Sequence, residues 1–370
     1  MNQPDPTVVA ALHARVASHL DFARAAVARS VHSSMVLAYW RSGRDIVEVE
    51  QAGQRRAAYG AALLDGLSAR LRRSHGRGFG VATLRRIRAF YLTFPAGFIP
   101  GDAPAQIRST PLIESADTPP FPASLGWSHY LLLMGVKDES ARSFYAIECG
   151  RASWSVDELE RQIDAMLFER LSMRKGKGAA ARLAAHGQEV TTPGDVIKDP
   201  FVLEFLDLAE VPELRESHIE AAIIDRLETF LLELGKGFCF VGRQKRFTIE
   251  ADHFYVDLVF YNRLLRCFVL IDLKLGKLVH QDLGQMQMYV NYFDRFERAD
   301  HEAPTVGIVL CSSKNEAVVR LTLPEGERQI IAAKYQFGLP TEEELRAELE
   351  RERREVETLM LTTRPPDGTT

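Results

Sequence analysis

Hydrophobic positions recur every three to four residues from about Thr7 to Phe94, and "VVAALHARVASHLDFARAAVARSVHSSMVLAYW" is long enough for two helices. The period is lost in "PAGFIPGDAPAQIRSTPLIESADTPPFPASLG", Pro95–Gly126, whose Pro, Ser and Gly predict a long loop. It returns from Trp127, with Ser155 as an N-cap before acidic Asp157 and Glu158. A second break, rich in Gly, Lys and Pro, falls near Lys175–Asp195. Beyond it the pattern changes to a helix, "ESHIEAAIIDRLETFLLELG", and then apolar runs of strand length: "FCFVGRQKRFTI", "HFYVDLVFYN", "CFVLIDLK" and "TVGIVLCSS". A helical stretch, roughly His280–Arg298, separates the last two. Helix, three strands, helix, strand predicts a mixed sheet flanked by helices. "TEEELRAELERERREVETLM" then reads as a charged helix, and "TTRPPDGTT" as a frayed tail. The chain divides into a helical region 1–125, a helical segment and linker 126–195, an α/β domain 196–340 and a charged end 341–370.

Composition adds limits. With 370 residues and a formal charge of −4, no overall basic excess advertises a polyanionic partner, so any such contact is local. The four cysteines are widely spaced without a C-x-x-C pair, which favours free thiols over zinc or disulfides. The first residues lack the layout of a signal peptide and no run reaches the length of a membrane span, which predicts a cytoplasmic protein without membrane contact.

"VLIDLKLGKL" places Asp272 and Lys274 on one side of an apolar strand while Ile271 and Leu273 take the other. Two charges in a core strand cost free energy unless something uses them. If the strands "HFYVDLVFYN" and "CFVLIDLK" form a tight hairpin centred between Leu264 and Leu265, Asp257 falls opposite Asp272. Opposed carboxylates repel, and a divalent cation between them relieves the repulsion. On the preceding helix Glu220 shares a stripe with Ile223, Ile224, Leu227 and Leu231, so it faces the sheet as a third carboxylate; Glu228 is the second choice. An oxygen-only set favours Mg2+ or Mn2+ over zinc. Lys274 is placed to orient a water or to offset charge on a phosphate. Taken alone, an Asp-x-Lys triplet is an ordinary ion pair; Asp257 in register and Glu220 on the apolar stripe shift the balance to a metal site.

"DLVFYN", "DLKLGKL" and "GQMQMYVNYFDR" resemble the C-terminal nuclease domain of the YhcG family, a bacterial branch of the PD-(D/E)XK, or restriction-endonuclease-like, superfamily. "IKDPFVLEFLDL", "FLLELGKGFCFVGRQKRF", "LGWSHYLLL", "WSVDELERQI" and "YWRSGRDI" resemble the same family in the same order. The resemblance implies that Asp257 is the first motif acid, Asp272 the second, Lys274 the motif lysine and Glu220 the helix acid. No proline precedes Asp257, unlike the pattern behind the superfamily's name. Gln285 and Tyr289 are similar to the Q-x-x-x-Y pattern of RecB-like nucleases, and Gln287 is an equally placed polar candidate for a catalytic role.

"RLRRSHGRGFGVATLRRIR" carries seven arginines and no acid between Arg70 and Arg88. Its layout is helix, glycine-containing turn, helix, so Arg85, Arg86 and Arg88 are candidates for phosphate contacts; a basic face packed on acidic neighbours is the alternative. The resemblance implies a winged-helix-like domain here. The three tryptophans, Trp40, Trp127 and Trp154, lie in apolar helical contexts that favour packing over base stacking. The expected activity is metal-dependent hydrolysis of phosphodiester bonds in DNA, the amino-terminal region holding DNA or a partner protein. The alternative is a non-catalytic DNA-binding or adaptor protein on a nuclease scaffold. A third reading is an assembly subunit, a homo-oligomer included, held by the charged carboxy-terminal helix.

Overall fold

A computed structural model describes residues 12–13, 15–16, 31–52, 57–98, 121–122, 124–174, 178–208, 214–314, 316–324, 329–341, 343–344 and 347. Most of the expected carboxy-terminal helix, of which Glu343, Glu344 and Ala347 are described and helical, and most of the Pro95–Gly126 loop lie outside them. The chain forms two compact units, residues 1–163 with 180–187, and residues 164–179 with 188–370.

In the first unit α1 (Val31–Ala52), α2 (Ala57–His75) and α3 (Val81–Thr93) share a core that includes Ile46, Leu63, Leu67, Leu84 and Ile87. Where α1 crosses α3, a Cβ on Gly43 would stand 2.4 Å from the Ile87 carbonyl oxygen, so glycine alone permits the approach. Helices α4 (Trp127–Gly135), α5 (Glu139–Ala152) and α6 (Val156–Asp164) follow. Phe90 packs against Phe94, Phe121, Trp127 and Tyr130, and Trp40 donates to the Phe94 carbonyl at 2.7 Å. The tryptophans pack, as their contexts indicate. Helix, turn, helix is present in α2 and α3, but the described residues of this unit contain no strand, so they show no wing.

The second unit begins with α7 (Leu167–Arg174), while α8 (Ala179–His186) returns to the first. Helix α8 lies in the stretch read as a break: the alanine-rich "AAARLAAH" has high helix propensity, and it buries Ala179 and Leu183. Six strands form one sheet in the order β1 (Phe201–Val202), β6 (Ile330–Gln336), β5 (Val306–Ser313), β4 (Cys267–Lys277), β3 (Asp252–Asn262), β2 (Phe238–Ile249). Strands β2, β3 and β4 are antiparallel neighbours; β4, β5, β6 and β1 are parallel. This is the expected mixed α/β sheet, with β1 and β6 added.

Each face has its own core. Helices α9 (Glu216–Asp225) and α10 (Leu227–Leu234) contribute Ile219, Ile223, Phe230 and Leu234 to a core with Leu258, Val269 and Ile271. On the other, α11 (His280–Phe296) contributes Met286, Tyr289, Val290 and Phe293 against Val259, Leu270 and Val309. A Cβ on Gly307 of β5 would stand 2.4 Å from Met286 Sδ, which fixes how closely α11 approaches. The segment read as one helix is two: Arg226, at φ −117° and ψ 34°, interrupts it between α9 and α10.

Arg170 on α7 and Glu233 on α10 form a fully buried ion pair at 2.7 Å, and Glu233 also accepts the Val202 N–H at 3.0 Å. Cys149, Cys267 and Cys311 are buried free thiols, and Cys239 is an exposed one. Among the described residues no helix is long and apolar enough to cross a membrane.

Candidate metal and catalytic site

Strands β3 and β4 pair from Asn262–Cys267 to Leu258–Ile271, the register that a turn centred between Leu264 and Leu265 dictates. One step beyond the last pair stand Asp257 and Asp272. There the ladder ends, because the Leu273 N–H donates to Asp257 Oδ2 at 2.8 Å instead of to a β3 carbonyl. The Leu275 N–H likewise donates to Glu216 Oε1 at 3.0 Å. Two backbone donors of β4 are thus satisfied by carboxylates, which lets the strands part and leaves acids where they do so.

Asp272 is 2% exposed. Its Oδ2 lies 2.8 Å from Lys274 Nζ, yet off the hydrogen-bond directions, and it is buried without an aligned donor. Burial first, and then the negative charge of Asp257, push the Asp272 carboxyl up to about 7, against the opposing pull of Lys274. Burial pulls the Lys274 ammonium down, but Asp272, Glu216 and Asp257 outweigh it and hold the group above its ordinary range, fully charged.

Glu220 is buried on α9, as the apolar stripe requires. The Gln244 side chain links it to Asp257, donating to Glu220 Oε2 at 2.5 Å and to Asp257 Oδ1 at 3.0 Å. Burial raises the Glu220 carboxyl, as does Asp257, while the Gln244 hydrogen bond and Arg243 lower it. Glu228 is exposed on α10.

On α11, Gln285 donates to the Tyr289 hydroxyl. Burial raises the Tyr289 hydroxyl pKa, Asp272 and Asp257 add to the rise, and the Gln285 hydrogen bond and Lys274 oppose it. Gln287 is not brought to them: two residues on, roughly 200° around the helix, it donates to Asn291 at 3.3 Å. In the other unit, Arg85 and Arg86 are exposed on α3, whereas Arg88 donates to Glu50 at 2.5 Å and is not a free cation.

Two residues of the site escaped the sequence reading. Glu216 lies one helical turn before Glu220, a spacing that was visible. Gln244 faces Asp257 between the Arg243–Leu258 and Lys245–Val256 pairs, but β2 shifts register between Phe240 and Gly242, and counting from sequence does not supply that shift.

The donor set suits a hard divalent cation: oxygen ligands on three side chains, one of them a buried carboxylate oxygen without an aligned partner. Among the described residues no three acidic, histidine or cysteine side chains are already gathered at metal-binding separation. Like-charged groups have no reason to converge before a cation joins them.

Residues 194–350 match the family model described as the YhcG PDDEXK nuclease domain, and residues 15–170 match the DUF1016 N-terminal domain. Over 354 residues the chain is 40% identical to "Putative nuclease YhcG" of Escherichia coli (strain K12), covering 92% of this chain and 93% of that protein. Among solved structures, a repair endonuclease from Pyrococcus abyssi is 22% identical over 35% of this chain and 50% of its own, with a TM-score of 0.26. An EndoMS–dsDNA2 complex is 20% identical over 36% of this chain and 50% of its own, with a TM-score of 0.25. The match thus spans about half the length of those two structures, and likenesses this low say nothing of substrate.

Proposed function

The chain belongs to the YhcG nuclease family, and from that premise we propose that it is a divalent-metal-dependent phosphodiesterase acting on DNA. The observation that carries this reading is the pair of acids just past the end of the β3–β4 ladder, Asp257 and Asp272, the second buried and ion-paired at 2.8 Å with a charged lysine. Asp257, Asp272 and Glu220 would hold Mg2+ or Mn2+. The cation, when bound, supplies Lewis-acid polarisation of the scissile phosphate and makes water a better nucleophile.

The chain's own groups have distinct tasks. The Leu273 N–H fixes the orientation of Asp257. Burial leaves Asp272 poorly solvated, so its charge is favoured only when a positive group meets it. Lys274, held charged by the surrounding acids, offers a cation to the phosphate oxygens or orients the attacking water. Gln285, partly exposed and held by the buried Tyr289 hydroxyl, is the candidate for a polar contact to a bound strand. Arg85 and Arg86, exposed on α3, are the candidates for sequence-independent phosphate contacts.

The test is cleavage of single-stranded, duplex and branched DNA with Mg2+, Mn2+ or EDTA. Metal-dependent cleavage of at least one substrate is expected; binding without cleavage under every condition would favour the non-catalytic scaffold.

A further inference from the structure

The Gln244 amide stands between two of the acids assigned above to the cation. One nitrogen donates to both Glu220 and Asp257, at 2.5 and 3.0 Å. The other oxygen of Asp257 is taken by the Leu273 N–H, so both its oxygens face nitrogen donors. The Gln244 backbone adopts φ 46°, a left-handed conformation that is unfavourable for a residue with a side chain and persists where its surroundings demand it. Asp272 Oδ2, in contrast, is buried without an aligned donor. The acids are therefore compensated unequally: Lys274 beside Asp272, and a neutral amide between Glu220 and Asp257.

We propose that Gln244 is a stand-in for the divalent cation: its amide holds Glu220 and Asp257 together while the metal is away and leaves the space between them when the metal binds. This rests on the reading that these acids hold Mg2+ or Mn2+. Gln244 is exposed on β2, the edge strand, so its side chain has solvent to swing into. A group that stabilises only the metal-free state weakens metal binding by the same factor.

The experiment is Mn2+ titration by calorimetry, with thermal melts in EDTA, on full-length wild type, Gln244→Met, Gln244→Glu and Asp272→Asn. Gln244→Met keeps the length and removes the donors. It is expected to melt lower without metal and to bind Mn2+ roughly three- to tenfold tighter, the worth of one ordinary net hydrogen bond at an exposed position. Gln244→Glu, which places a third negative charge there, should exceed it on both counts. Mn2+ affinity in Gln244→Met that is unchanged or weaker than wild type would overturn the stand-in role. If wild type binds Mn2+, Asp272→Asn does not, and Gln244→Met equals wild type, only the Gln244 inference falls. If Asp272→Asn binds as wild type does, or wild type binds no Mn2+, the cation reading falls with it.

Discussion

Replacing Asp272 by Asn should stabilise the metal-free protein, and the gain should depend on pH in a direction the structure sets. The Asp272 carboxyl is raised from 3.8 to about 7 by burial and by Asp257. A raised acid pKa means that the folded state binds the proton more tightly than the unfolded chain does. Stability linked to this group is therefore full below the unfolded pKa and is lost as pH rises through the folded one. At about 1.4 kcal/mol per unit, the shift sets an upper bound on the order of 4 kcal/mol. Asn also deprives Lys274 of its partner, so about 2 kcal/mol is the expected net gain above pH 7, or roughly 4–8 °C in Tm for a unit of this size. The assay is a set of thermal melts in EDTA from pH 4 to 9. The Tm difference between variant and wild type should be near zero at pH 4, grow toward pH 7 and stay flat above it. A variant less stable than wild type at pH 8, or a difference independent of pH, would refute the claim that Asp272 is a charge kept at a cost in folding.

Lys274→Ala should reduce turnover by two orders of magnitude or more while changing Mn2+ affinity little, because the ammonium acts on phosphate or water; calorimetric loss of Mn2+ binding would make it a structural residue. Arg85→Ala with Arg86→Ala should weaken binding to unrelated DNA sequences alike and flatten the salt dependence by about two phosphate contacts, measured by anisotropy titration. Arg88→Ala should instead cost about 0.5–1 kcal/mol of stability through loss of the partly exposed Glu50 pair, with a smaller change in salt slope. Glu233→Ala, which strands the fully buried Arg170, should destabilise by about 3–5 kcal/mol in denaturant melts.

The parts of the site legible in the sequence were those fixed by short-range geometry. A hairpin turn determines the register on both its strands, so Asp257 opposite Asp272 followed from counting, and the apolar stripe of one helix placed Glu220. What counting missed depends on contacts or distortions that no period encodes. Gln244 faces the acids through a register shift in β2 and a left-handed backbone. Arg88 finds Glu50, 38 residues earlier in the chain, because α1 and α3 cross closely at Gly43. Strand β6 joins the sheet by parallel pairing to β5, and its run "IIAAKYQ" carries too little alternation to announce itself. The helix pattern offers three polar residues, Gln285, Gln287 and Tyr289, and only the packing of α11 separates Gln287 from the other two.

The central claim is that Asp257 and Asp272 form a metal-dependent nuclease centre. Single-turnover cleavage of one DNA substrate by wild type, Asp257→Ala and Asp272→Asn, each with Mn2+ and with EDTA, tests it most directly. Cleavage by the Mn2+-loaded wild type alone is expected, with both variants folded and inactive. Cleavage that persists in either variant, or that survives EDTA in the wild type, would contradict it.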